Sequence, residues 1–228
     1  MTTQAATSVK KEKEALFSRK NLKLLKDPLN DNNPVTVQVL GICSALAVTV
    51  QVKPSFYMCM GVLFVVAMGN VVISAIRNFI PNRVRIIAQL VVVAGLVTIV
   101  DQVLKAYAYD MSKKLSVFVG LIITNCIVMG RLEAFAMGNR VWPSLLDGIG
   151  NALGYSVILM IVATVREIFG SGTFWGIRLI PSSLYATESS AGYVNNGMML
   201  LPPMALIIVG IIIWVQRGTN KKLIEKPE

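Results

Sequence analysis

The chain has 228 residues, of which 54% are hydrophobic and only 15% charged, with a mean hydropathy of +0.64. Soluble domains carry about 25% charged residues, so the composition excludes an ordinary soluble enzyme domain and points to an integral membrane protein. The formal charge of +10 does not support nucleic-acid binding, because the basic residues lie in tails and short loops and no nucleic-acid motif accompanies them.

In chain order, residues 1–34 form a polar, lysine-rich tail that lacks the apolar run of about 7–15 residues typical of a cleavable signal. Within it, residues 10–29 mix Lys and Arg with Leu16, Phe17, Leu22, Leu24, Leu25 and Leu29. This pattern suits an amphipathic helix on anionic lipid, stopped at Pro28, or equally a solvated basic tail that fixes topology. Six apolar stretches follow, at roughly 35–52, 55–76, 85–107, 115–130, 148–168 and 197–216. The second, third, fifth and sixth are long enough to cross a hydrocarbon core of ~20 residues. The first and fourth are short and interrupted, by Thr36, Gln38, Gly41 and Ser44 in one and by Gly120, Thr124 and Asn125 in the other. These two carry Cys43 and Cys126. Residues 170–196 are rich in Gly, Ser and aromatics and read as an outer interfacial loop, and residues 217–228 as a second basic tail.

With a cytoplasmic N-terminus, 16 of the 22 Lys and Arg residues fall on the inner side and 6 on the outer side. Positive charge favours the cytoplasmic face, so both termini are expected there. Six spans divide into two groups of three, residues 35–114 and 115–216, and an odd number per group makes the second group enter from the opposite face. Short or broken segments at matching places mark inverted repeats around a site at mid-membrane. The expected fold is therefore all-α, with six transmembrane helices as two inverted three-helix repeats whose first and fourth spans are short or broken.

Three cysteines and no histidine argue against a disulfide framework and remove the commonest metal ligand. A transmembrane cysteine is usually an inert small hydrophobe, which is the reading for Cys59 in "FYMCMG". The matched placement of Cys43 and Cys126 moves those two towards a ligand role. Iron–sulfur clusters are commonly held by four thiolates, so a cluster here would need two more from a second chain; an isolated disulfide is the competing arrangement. Asn125 beside Cys126 suits a hydrogen bond to a cluster sulfur or to unwound backbone, and Gly41 and Thr124 flank the same breaks. Charges within spans are costly and call for a function. Asp101 is read as an ion pair with Lys105 or as a sodium-linked group. Asp147, before "GIGNALG", is read as a helix-capping carboxylate or as a sodium-linked one. Arg166 and Glu167 are read as marking the outer end of the fifth span.

The segments "LGICSALAV" (40–48) and "ITNCIVMGRLEAFAM" (123–137) resemble the paired signatures of the small membrane subunits of the Nqr and Rnf complexes. The similarity runs from "DNNPVTVQVLG" (31–41) to "GIIIWV" (210–215), leaving residues 1–30 outside it. "VDQVLKAYAYDMSKKLSVFVG" (100–120) and "PSLLDGIGNALGY" (143–155) are closer to the sodium-pumping NADH:quinone oxidoreductase than to Rnf. The resemblance implies six helices in inverted repeats, a homologous and oppositely oriented E-type partner within a six-subunit complex, and a bacterial inner-membrane location. It implies an intramembrane [2Fe–2S] cluster with Cys43 and Cys126 as half of its ligands, and electron transfer from NADH to quinone coupled to sodium export. No nucleotide-binding fingerprint is visible, so NADH, flavins and ubiquinone are assigned to sibling subunits. The alternatives are the corresponding Rnf protein, a secondary transporter with a midplane site, and a scaffold with inert cysteines.

Overall fold

The computed structural model describes residues 25, 27–29, 32–81, 83–107, 120–178 and 197–219. Most of the basic N-terminal segment, the residues around Lys113 and most of the 170–196 loop lie outside the described residues, as does the C-terminal tail beyond Thr219.

The short helix α1 (Ile42–Val48) is followed after a tight turn by α2 (Val52–Ile76), and α3 (Arg85–Tyr107) returns alongside α2. A helical turn over residues 120–123 breaks at Thr124 and Asn125 before α4 (Cys126–Arg131), which runs into a π-helical turn (Leu132–Ala136). The long α5 (Val141–Ser171) then leads to a two-stranded hairpin of β1 (Thr173–Phe174) and β2 (Ile177–Arg178), with Thr173 opposite Arg178. The last helix, α6 (Pro202–Thr219), packs against α1.

Among the described residues four helices, α2, α3, α5 and α6, are long and apolar enough to cross a membrane. Prolines at 54, 143, 202 and 203 all sit in a helix's first turn, where the missing N–H has no intrahelical partner to lose. The expected third span agrees with α3. The fifth span starts earlier than expected, at Val141 rather than near residue 148, because Pro143 falls in the helix's first turn and Asp147 is paired with Arg131 within the helix. A Cβ at 148 would lie 2.7 Å from Asn70 Nδ2 and 3.2 Å from the Val66 carbonyl, so a glycine is needed where the two longest helices touch.

α2 and α5 form the centre of the molecule. Val62, Val65, Val66 and Ile73 of α2 join Tyr155, Leu159 and Val162 of α5 in the buried core, together with Ile127, Val128 and Leu132 from the Cys126 segment. Lipid offers no hydrophobic drive between apolar helices, so close packing and polar contacts must hold this pair together. α3 and α6 bury much less of themselves, exposing Val91, Ile99 and Val103 on one and Leu206, Ile207 and Trp214 on the other.

Candidate functional site

The backbone breaks ahead of the Cys43 helix because two residues adopt positive φ, Val39 at 58° and Gly41 at 82°. Glycine is at ease there. Val39 is β-branched, and a left-handed conformation costs it about 1–2 kcal/mol. A side chain at 41 would also meet Tyr155, whose Cε2 lies 2.9 Å from an ideal Cβ. Irregular backbone at membrane depth is tolerated only inside protein or around a cavity, and Gly41 and Asn125 are both buried.

Asn125 caps α4: its Oδ1 accepts from the Ile127 N–H at 3.3 Å. Its Nδ2 donates to Ser44 Oγ at 3.5 Å, bridging residues 81 positions apart in sequence. Ser44 Oγ is also bonded to the Gly41 carbonyl at 2.8 Å and shares a 2.6 Å hydrogen bond with Tyr155 OH. The immediate neighbours of the two cysteines thus form one hydrogen-bonded string anchored on α5. Cys43 and Cys126 are both free and both exposed, an unusual state for a residue type that is mostly buried. Thr124 is exposed, and its Oγ1 donates to the Gly120 carbonyl at 3.4 Å. Cys59, by contrast, is buried in α2 with its Sγ 3.9 Å from the Ser156 carbonyl. Among the described residues no three His, Cys, Asp or Glu side chains converge on a metal position.

Asp101 and Lys105 form the ion pair weighed from the sequence, at 2.6 Å. Asp147 does not cap its helix, which corrects the capping reading: α5 begins at Val141 with Arg140 at the cap position. Asp147 instead lies within the buried face of the helix and forms a two-pronged ion pair with Arg131, Nε to Oδ2 at 2.9 Å and a second, shorter contact from Nη2 to Oδ1. Asn151 Nδ2 adds bonds to the Asp147 carbonyl at 2.9 Å and to Oδ1 at 3.1 Å. Because Arg131 is the last residue of α4, the helix that starts at Cys126 is tied to α5 by charge. Ser144, Asp147, Gly148 and Asn151 share one face of α5, and Asn70 of α2 reaches that face through its bond to the Ser144 carbonyl at 2.9 Å. Asn70 Oδ1 and Asn151 Oδ1 are buried there without a hydrogen-bond partner among the described residues. The core of the α2–α5 pair therefore holds an oxygen-rich patch.

Arg166 and Glu167 do not simply mark the end of a span. Both are buried, at 0% and 2% exposure. Arg166 donates to the carbonyls of Leu46, Met199, Leu200 and Leu201 and to Thr49 Oγ1. Glu167 accepts from the Val52 N–H at 2.5 Å, the Gly176 N–H at 3.2 Å and Thr173 Oγ1 at 3.2 Å. One residue thus satisfies the carbonyl end of α1 and the next an N–H at the start of α2. A signal for this position exists in the sequence. Val52, Pro54, Ser55, Gly61 and Arg77 recur 89 residues later as Val141, Pro143, Ser144, Gly150 and Arg166. Arg77 plays a matching part, donating to the Asn139 carbonyl at 2.6 Å just ahead of α5.

Comparison with known proteins agrees with this architecture. The family model described as an Rnf-Nqr subunit, membrane protein, matches residues 21–213. The chain is 60% identical over 203 residues to the D-type subunit of the Na(+)-translocating NADH-quinone reductase of Aeromonas hydrophila, covering 89% of this chain and 95% of that protein. The same protein of Aeromonas salmonicida is also 60% identical over the same shares, and that of Tolumonas auensis is 54% identical over 207 residues, 90% of this chain and 94% of that one. The chain belongs to the Rnf-Nqr family of membrane subunits.

Proposed function

We propose that this chain is the D-type membrane subunit of a sodium-translocating NADH:quinone reductase, and that Cys43 and Cys126 supply half the ligands of an intramembrane [2Fe–2S] cluster. The other two thiolates come from a homologous, oppositely oriented partner. Four thiolates complete such a site, and this chain offers two that are free, exposed and set in adjoining segments. The observation that carries the reading is the Tyr155–Ser44–Asn125 string, which brings the neighbours of both cysteines together. When bound, the cluster supplies a one-electron carrier at membrane depth.

The chain's own residues hold that position. Gly41 and Asn125 form the two breaks that turn the thiols outward. Ser44 and Tyr155 lock the breaks to each other, and the apolar side chains of α2 and α5 fill the interior behind them. The 89-residue spacing of the V-x-P-S openings and of the two arginines supports two inverted repeats of three spans, with the first and fourth spans broken. The charge asymmetry supports cytoplasmic termini in a bacterial inner membrane. The exposed apolar faces of α3 and α6 are suited to lipid and to sister subunits. NADH, flavins and ubiquinone bind elsewhere in the complex.

Sodium, the transported ion, prefers oxygen ligands. Asp147 and Asp101 are both ion-paired, but beside Asp147 the Asn70 and Asn151 side-chain oxygens have no partner among the described residues, and this favours Asp147 over Asp101 as the sodium-linked carboxylate. The test of the cluster reading is iron and acid-labile sulfide analysis, with electron paramagnetic resonance, on the whole complex. Cys43→Ser and Cys126→Ser are expected to remove the cluster signal and stop electron flow to quinone, and Cys59→Ser to do neither. Normal iron and quinone reduction in the Cys43→Ser/Cys126→Ser double variant overturn it.

A further inference from the structure

Arg166 is fully buried in the last two turns of α5, and among the described residues no carboxylate pairs with it. Its partners are neutral oxygens: Thr49 Oγ1 at 2.6 Å, Leu200 O at 2.8 Å, Met199 O at 3.0 Å, Leu201 O at 3.2 Å and Leu46 O at 3.3 Å. Burying a cation without a counter-ion is expensive in a membrane protein, so this position calls for more than a boundary role. Two of the five partners belong to the Cys43 segment. Leu46 lies three residues beyond Cys43 on α1, about 4.5 Å along the axis at ~1.5 Å per residue. Thr49 passes the contact on, since its hydroxyl accepts from Arg166 and donates to the Ala45 carbonyl at 2.5 Å. That carbonyl is two residues from Cys43.

A helix of seven residues with no side-chain cap at its N-terminus cannot hold its own position, because helices this short are unstable without outside contacts. α1 has a glycine break at one end and the Arg166 fork at the other. Glu167 clamps the adjoining start of α2, so the turn between α1 and α2 is fixed from both sides. The recurrence of the arginine at 77, gripping the Asn139 carbonyl ahead of α5, shows that a similar grip occurs in the other half.

We propose that Arg166, acting through Thr49 and the Leu46 carbonyl, is the positioning residue for the Cys43 thiolate. It sets the height and rotation of the helix that presents the thiol, and it places a fixed positive charge at the opposite end of that short helix. This rests on the iron–sulfur reading above. A fixed positive charge favours the carrier's state with one more electron, so its removal lowers the midpoint potential.

The test uses the whole purified complex and reads the cluster's paramagnetic spectrum and its midpoint by potentiometric titration, alongside iron content. Arg166→Gln is expected to shift the midpoint to more negative values and to change the anisotropy of the spectrum. Arg166→Lys keeps the charge but loses the fork, so it is expected to change the spectrum with a smaller shift of midpoint. Thr49→Val keeps Arg166 and breaks only the relay, and a changed spectrum is expected there too. If the Arg166 variants fail to assemble, Thr49→Val decides alone. Midpoint and spectrum indistinguishable from the unmodified complex in Thr49→Val and in any assembled Arg166 variant overturn the inference. Cys43→Ser and Cys126→Ser run in parallel separate the two claims. Loss of the cluster in them, with the Arg166 and Thr49 variants unchanged, refutes the positioning role only. Retention of the cluster in both serine variants removes the reading beneath it.

Discussion

Replacing Arg131 by methionine leaves the Asp147 carboxylate in the helix core with only Asn151 as a polar partner. The side chains of the pair are 13% and 4% exposed, so solvent cannot take over the lost contact. Breaking a buried pair by removing one partner costs about 3–5 kcal/mol, and at 1.4 kcal/mol per tenfold the lower bound is already more than a hundredfold in the folding equilibrium. Asp147→Leu strands the Arg131 guanidinium in the same way and costs a similar about 3–5 kcal/mol. Removing both charges, in Arg131→Met/Asp147→Leu, leaves no stranded ion and is expected to fall within about 1 kcal/mol of the unmodified protein. The double-mutant cycle is read by denaturant titration in mixed micelles. Iron content of the assembled complex provides a second readout, because Arg131 and Cys126 are the two ends of α4. Arg131→Met is expected to lower iron occupancy and the double variant to restore part of it. A coupling energy below about 0.5 kcal/mol, the level of independent sites, refutes the claim that this pair holds α4 against α5.

Asp147→Asn is expected to raise the sodium concentration for half-maximal turnover severalfold in the complexes that retain the cluster signal, and Asp101→Asn to change it less; unaltered sodium dependence in both variants assigns the two carboxylates to ion pairing alone. Gly41→Ala forces an alanine to a φ of 82° and its Cβ against the Tyr155 ring, so a loss of about 1–3 kcal/mol and reduced iron content are expected, checked by the same titration and by iron analysis. Impermeant thiol reagents are expected to label cysteines introduced near Lys113 only from the periplasmic face, and labelling from the cytoplasmic face alone reverses the topology.

Much of this architecture is legible in the sequence for a simple reason: lipid penalises polar side chains and unpaired backbone inside an apolar run, so the places where Gly41, Ser44 and Asn125 interrupt one stand out. The same contrast delimits α3, whose charged Arg85 and polar C-terminal turn bracket a mainly apolar stretch. It fails at α5. Asp147 and Gly148 look like the edge of a span, but the helix begins six residues before Asp147 and the glycine at 148 is where Asn70 approaches too closely for a side chain. Asp147 misleads for the same reason, since its partner Arg131 sits on another element and only the tertiary fold brings the charges together. Arg166 is harder still, because its partners are mostly carbonyl oxygens, which every residue has and no composition reveals. Only the recurrence of an arginine 89 positions after Arg77 distinguishes it along the chain.

The two halves share that spacing along their long helices but not at their cysteines. Cys43 precedes α2 by 9 residues and Cys126 precedes α5 by 15, and the difference falls where the π-helical turn and the connector to Val141 lie. Two identical halves related by a two-fold axis in the membrane plane would look the same from either side, and such a device has no preferred direction. The added residues lengthen the segment between Cys126 and α5, and among the described residues the Arg131–Asp147 pair has no counterpart between α1 and α2. In the inverted-repeat arrangement proposed above, this difference makes the two faces distinguishable, which any machine that drives an ion one way across a bilayer requires.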